Sequence, residues 1–350
     1  MNKNNDHYPL PREIILRMAS RPHRMHHYLW HQTRNAWARY TDSTRNELAE
    51  LGWTPPRVHL SWDTNVILDN HAGEDFLFMH RQMIKSVNSM LKRITGDPRA
   101  RVVGWSRLPR PDDAHYPVPP VYEHPNEFLN EIAAETKSEH FFITRMLYWE
   151  RLFTDPVFLR SISLGVLGSM IESTIHDSMH MRWSSKPRPG IRLDPTMSGS
   201  PSPGQILNID PEWDVPEYDF LGDEYSSHVN PIFWKIHGWV DDRISDWMIA
   251  NGVQIGFHTG MPDPHWLGQW QGVLPDDNHD TSVAYSNLLL LSERMGRSNS
   301  AQSKTIDDTD DAHGHGQHRE RQFIADLEKA MSIVLGSGHI HHMYSRTQGR

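Results

Sequence analysis

The sequence predicts a mainly α protein, and three stretches carry that expectation. Phe76, Leu77, Met79, His80, Met83, Ile84, Val87, Met90 and Leu91 recur at three- and four-residue spacing, the signature of a helix with one apolar face. Asn230 followed by Pro231 reads as an N-cap with proline at the first helical position, where its missing N–H costs nothing. Phe233, Ile236, Val240, Ile244 and Trp247 then continue as an apolar stripe. In a third stretch, Leu164, Leu167, Ile171 and Ile175 lead into Ile175–Trp183, again at helical spacing.

The remaining elements follow from the same periodicities and from their punctuation. Residues 12–51 read as helical with a break near Pro22, and Gly52 with Pro55-Pro56 ends them. Val58–Asp63 is a short apolar stretch, 69–75 a turn, and Asp75 the expected cap of a helix beginning at about Phe76. Residues 97–127 carry many prolines but also Val102, Trp105, Tyr116 and Tyr122, which predicts an irregular, packed excursion. Helix returns over 126–150. Residues 184–225 are rich in Pro, Gly, Ser and Asp and read as a long surface loop. Beyond the helix that starts at Pro231, an irregular region over 252–280 precedes a helix over 283–295. The run 296–321, with SNSAQSK, DDTDD and HGHGQH, is expected to be a disordered loop. A helix over 322–335 and a tail to residue 350 close the chain. We expect one domain over 1–350, its core within about 58–250, with no internal repeat.

Composition narrows the function. The balance of 35 basic against 44 acidic residues, −9 overall, without a basic run, argues against a nucleic-acid surface. No apolar segment approaches the roughly 18 residues that span a bilayer, and the N-terminus has no apolar signal core, so a cytoplasmic protein without membrane association is expected. The absence of cysteine excludes disulfides, thiolate metal sites and cysteine nucleophiles. Histidine is abundant, at 24 residues against 10 tyrosines and 11 phenylalanines. Any metal site is therefore one of nitrogen and oxygen donors.

Most of these histidines have a plain structural reading. His23, His26, His27 and His31 are expected at the surface or in packing, and His313, His315 and His318 as adventitious metal scavengers. His237, inside the apolar stripe that starts at Phe233, reads first as a hydrogen-bonded core histidine, with Asp241 one turn on placed to orient its ring. His176 and His180 are four apart, so both imidazoles project from one helix face, close enough to hold one ion. Two groups then stand out: His59, His71 and His80, and His176, His180 and His237. Each offers three imidazoles with few carboxylates, a donor set that suits copper or zinc more than magnesium or calcium.

At this point the chain resembles a family. Phe76-Leu77-Phe78-Met79-His80-Arg81 is similar to the F-L-P-W-H-R signature of the type 3 copper proteins, the tyrosinase, catechol oxidase and haemocyanin superfamily. His71, nine residues earlier, matches a ligand of their first copper. Glu172, His176, Asp177 and His180 resemble the family's E…H-N-x-V-H run, and Asn230–Arg243 resembles D-P-x-F-W-L-H-H-x-x-V-D-x-L-W, with His237 on the second histidine and Ile236 on the first. The resemblance implies a four-helix-bundle core around a dicopper centre: His59, His71 and His80 on the first copper, His176, His180 and His237 on the second. It implies O2 as co-substrate and the hydroxylation or oxidation of phenols, o-diphenols or o-aminophenols. The substrate is then a small phenol or a peptide tyrosine, and a copper-delivery protein is a possible partner. Phe76, Phe233 and Trp234 would shield the site, and Met181 would lie near the substrate entrance. Asp177, where the family carries Asn, and Glu172 become the catalytic base candidates. An O2-carrying or copper-binding protein without turnover is the alternative, and a zinc hydrolase a third, although the chain lacks H-E-x-x-H.

Overall fold

The computed structural model of the protein describes residues 10–51, 53, 55, 57–122, 127–185, 211–253, 329 and 333. It is mainly helical; among the described residues, extended pairing is limited to one isolated bridge between Leu60 and Val66. The expectations for 252–280, 283–295, 296–321 and the tail lie outside the described residues, apart from Gly252 and Val253. Within 322–335, Lys329 and Ile333 are described, both helical.

The helices are α1 (Arg12–Met18), α2 (Arg21–Ala36), α3 (Asp42–Glu50), α4 (Ala72–Thr95), α5 (Glu127–Lys137), α6 (Glu139–Phe141), α7 (Leu147–Leu152), α8 (Pro156–Ser161), α9 (Leu164–Ile171), α10 (Asp177–Trp183) and α11 (Pro231–Asn251). A π turn, Phe142–Met146, joins α6 to α7, and another, Glu172–His176, joins α9 to α10. Such turns insert one residue into an α-helix and concentrate at functional sites; this one carries Glu172 and His176. α4 packs against α9 and α11, α11 also against α8, and α10 against α5 and α11.

The predicted starts hold at α2 and α11. Pro22 occupies the first turn of α2, and Asn230 caps α11 by accepting from the Ile232 N–H at 2.9 Å. At α4 the expectation is corrected: the helix begins a turn earlier, with Asn70 Oδ1 accepting from the Ala72 N–H at 3.0 Å. Asp75 is held by Arg57 at 2.5 and 3.1 Å. Gly73, inside the stretch 69–75 that reads as a turn, is required by packing: a Cβ there would lie 2.1 Å from the Gly165 carbonyl oxygen and the Ser169 nitrogen. A Cβ at Gly168 would meet the Gly73 oxygen at 2.2 Å, so the α4 and α9 backbones cross in direct contact.

Two further expectations are corrected. Helix α2, polar in sequence, is buried along nearly its whole length, including Arg24, Arg34 and all four of its histidines. Its charges are satisfied internally: Arg24 donates to the carbonyls of Ala19 (2.8 Å), Val215 (2.9 Å) and Tyr218 (2.8 Å). That guanidinium draws the described part of the 184–225 segment inward, and Tyr218, Leu221, Asp223, Glu224 and Tyr225 are buried rather than spread over the surface. The described part of the 97–127 excursion packs as expected, with Trp105 against Trp183 (4.6 Å between ring centroids) and Tyr116 (5.2 Å). No helix among the described residues is long and apolar enough to cross a membrane.

The close crossing makes a prediction. Gly168→Ala should cost about 3 kcal/mol or more, because backbone must move to admit the methyl. Gly252→Ala, with φ +64° and open space around the Cβ, should cost only about 1 kcal/mol of left-handed strain. Denaturant midpoints that fall equally in the two variants would refute the backbone contact.

Candidate metal centre

Four helical segments send histidines to one buried centre: His27 and His31 from α2, His80 from α4, His176 and His180 from the π turn and α10, and His237 from α11. Donor atoms of His27, His31 and His80 lie within 4.8 Å of one another, and so do those of His80, His176 and His237. His180 stands beside the second group, its ring centroid 4.6 Å from that of His176 and 5.3 Å from that of His237. His80 and His237 stack at 4.1 Å, and Phe233 stacks on His237 at 3.8 Å. Phe76 closes another side, 4.7 Å from His80 and 4.8 Å from His176.

The outer nitrogens show how each ring is oriented. His80 Nδ1 lies 2.9 Å from the Phe76 carbonyl oxygen, and His237 Nδ1 2.9 Å from that of Phe233. His180 Nδ1 is 2.8 Å from the Leu221 carbonyl, His27 Nδ1 2.6 Å from that of Glu224, and His176 Nδ1 3.1 Å from Asp177 Oδ1. Every one of these partners only accepts, so each Nδ1 carries the proton and each Nε2 presents a lone pair inward.

Those inward lone pairs leave an electrostatic problem that a cation solves. The Nε2 atoms of His27, His80 and His180 are buried without a hydrogen-bond partner. His176 Nε2 and His237 Nε2 are 3.1 Å apart; with both protons committed to Nδ1, this is a contact of two acceptors. Two imidazoles bound at about 2.0–2.1 Å to one tetrahedral ion would hold their nitrogens about 3.3 Å apart. The residues therefore fit a metal of nitrogen preference. Burial keeps the rings in the neutral, ligating form: it pushes His27 and His176 down to about 4, and His31, His80, His180 and His237 well below the ordinary imidazole value.

Of the residues singled out in sequence, His80, His176, His180 and His237 meet in the centre with Phe76 and Phe233. His59 and His71 belong to neither group of convergent donors among the described residues. His59 is buried with Nδ1 3.4 Å from Glu172 Oε2. His71 starts α4 in the left-handed region (φ +64°), its Nδ1 3.0 Å from Glu74 and its side chain 55% exposed. Glu172 is held by Arg34 at 2.5 and 2.9 Å. Asp177 faces His176. Asp241 accepts from Arg81 instead of orienting His237, because helical side chains lean toward their N-terminus and reach the i−4 carbonyl before the i+4 side chain. Met181 is buried with Ser184 Oγ 3.7 Å from its sulfur.

Of the surface and packing readings of His27 and His31, burial beside His80 leaves packing. Their i, i+4 spacing, the same as that of His176 and His180, was the available signal. No known protein-family model matches the chain, and no curated protein sequence matches it.

The buried imidazoles give the metal-free protein a defined acid sensitivity. Their folded pKa lies below the unfolded value near 6.5, so the unfolded state binds more protons below that pH. The stability is fully present above about pH 6.5 and is lost as pH falls toward about 4. Urea unfolding at pH 7.5, 6 and 5 should show the unfolding free energy dropping with a slope that approaches about 1.4 kcal/mol per pH unit for each such histidine. A flat profile over this range would contradict the neutral cluster.

Proposed function

We propose that the protein is a dicopper oxidoreductase that uses O2 to hydroxylate or oxidise phenols, o-diphenols or o-aminophenols. The observation that supports this reading is the inward convergence of the Nε2 atoms of His27, His80, His176, His180 and His237, each with its proton on Nδ1, together with the buried His31 beside them, from four helical segments. The four segments would, in this reading, take the place of the four-helix core that the resemblance to type 3 copper proteins implies. In this reading His27, His31 and His80 hold one ion, and His176, His180 and His237 the other. Assigning His27 and His31 in place of His59 and His71 follows from where the rings lie.

The ligand set favours copper on physical grounds. Six neutral imidazoles supply no negative charge, and burying two divalent ions among them is costly. Copper in its monovalent state halves that charge, is well bound by imidazole nitrogens, and is redox-active. A copper pair supplies the electron-transfer chemistry by which O2 is reduced while the phenolic substrate is oxidised.

The chain's own residues define how that chemistry is housed. Phe76 and Phe233 exclude water from the inner nitrogens. The carbonyls of Phe76, Phe233, Leu221 and Glu224 hold Nδ1 protons and so fix the ligating tautomers. Asp177 does the same for His176, its Oδ1 lying 3.1 Å from Nδ1. Glu172, clamped by Arg34, anchors the π turn instead of serving as a base. With all six ligands buried, loading requires local opening, a step in which a copper-delivery protein would assist.

The test is copper loading followed by metal analysis and oxygen uptake on monophenols, catechols and o-aminophenols. Two coppers per chain and consumption of O2 with one substrate class are expected. His237→Ala and His31→Ala should each reduce the copper content to about one and cut oxygen uptake at least about 100-fold. His59→Ala and His71→Ala should retain both ions; the reverse pattern would return the first site to the residues that the resemblance implies. Reversible O2 binding without substrate consumption would make the protein a carrier, and zinc without copper would point to a hydrolase.

A further inference from the structure

One fully buried histidine lies outside the six and touches them. His228 sits in the turn Ser227–Val229 before α11, with Nε2 3.1 Å from the Met18 carbonyl oxygen and Nδ1 3.2 Å from His27 Nδ1. We infer that His228 is a positioning residue: it fixes the proton of His27 on Nδ1 and the plane of its ring, so that His27 Nε2 faces the metal centre as a ligand. The inference rests on the dicopper reading above.

The argument is one of hydrogen-bond polarity. Carbonyl oxygens stand at both ends of the chain of contacts Met18, His228, His27, Glu224, and neither can donate. If His228 carried its proton on Nδ1, its Nε2 lone pair would face the Met18 oxygen. Its proton would then need a lone pair on His27 Nδ1, which would also face the Glu224 oxygen at 2.6 Å. Both contacts would be repulsive. The opposite polarity satisfies every group: His228 donates from Nε2 to Met18 and accepts at Nδ1, and His27 Nδ1–H is shared between His228 and Glu224. Only His27 Nε2 remains, and it is buried without a hydrogen-bond partner, within 4.8 Å of donor atoms of His31 and His80.

The second acceptor adds something the Glu224 carbonyl lacks. One acceptor directs the Nδ1–H vector but lets the ring pivot about it; a second, from a ring 4.6 Å away at 61°, fixes the plane. His228 is itself held, since Trp234 Nε1 donates to its carbonyl at 3.1 Å and its ring packs edge-on to His23 at 4.9 Å. Outer partners of this kind set tautomer and orientation in metal-bound histidines generally.

Two variants and two readouts test the assignment. His228→Phe keeps a ring and removes both nitrogens, whereas His228→Asn keeps an acceptor close to the position of Nδ1. Chelator competition should show one of the two coppers weakened about 10- to 100-fold in His228→Phe, the other unchanged, and near-complete rescue in His228→Asn. In the metal-free protein, long-range 1H–15N spectra, with His27→Gln identifying the signal, should report His27 protonated at Nδ1 in the wild type and a mixture of tautomers in His228→Phe. Wild-type copper affinities in His228→Phe together with an unchanged His27 tautomer would overturn the inference. A wild-type protein that binds no copper would instead remove the dicopper reading, and the tautomer spectra would still decide the role of His228. Should His228→Phe fail to fold, a wild-type His27 protonated at Nε2 overturns the assignment by itself.

Discussion

The rest of the structure depends on one constraint: inward-facing imidazole lone pairs in a dry interior cannot satisfy one another. Each ring must give its single proton to an acceptor on the outside, and the protein has to provide one acceptor per ring. Helices α4 and α11 do this in the same way. His80 and His237 each use the carbonyl four residues back, on Phe76 and Phe233, and the same phenylalanine then walls the pocket. The two helices thus contribute matching units, a phenylalanine and a histidine one turn apart, whose histidine rings stack on each other across the centre.

His176 uses the neighbouring Asp177, whereas His27 and His180 cannot rely on their own helices, and the fold is shaped by that need. His27 and His180 take their acceptors from Glu224 and Leu221, in a segment whose Tyr218, Leu221 and Tyr225 are themselves part of the core. Arg24 holds the same segment through the Val215 and Tyr218 carbonyls. Arg34 plays the corresponding part on the far side of α2, joining the Glu172 carboxylate to the Ala72 carbonyl at the start of α4. Buried charges of this kind are tolerated because each is paired or fully hydrogen-bonded. They connect α2, α4 and the π turn into one frame around the histidines.

How far this was legible in sequence differs from residue to residue. The stripes of α4 and α11, the Asn230 cap, the Pro22 break and the pairing of His176 with His180 follow from local periodicity and dihedral preference, which short-range sequence encodes. The role of α2 does not. Arg21–Ala36 shows Met25, Tyr28, Leu29 and Trp30 on one part of its surface but many polar groups elsewhere, and the burial of its Arg24 depends on acceptors about 190 residues away. Nor does sequence identify which neighbour orients a ring. Asp241 is well spaced to bind His237, but side-chain direction in a helix favours the preceding turn, and Arg81 takes the carboxylate. Gly73 lies in the stretch 69–75 that reads locally as a turn, whereas its missing side chain is what lets α9 approach.

The sequence alone determined the helical class, the absence of thiolate chemistry, and four of the six histidines that meet in the centre: His80, His176, His180 and His237. Each of these lies on a stretch whose own spacing reveals the face it presents. Only the tertiary structure decided that His27 and His31 complete the group while His59 and His71 stand apart. Convergence of donor atoms is a property of how helices cross, and that crossing is governed by backbone contact at Gly73 and Gly168 and by arginine-to-carbonyl bonds between distant segments. None of these interactions leaves a local pattern for a sequence reading to detect.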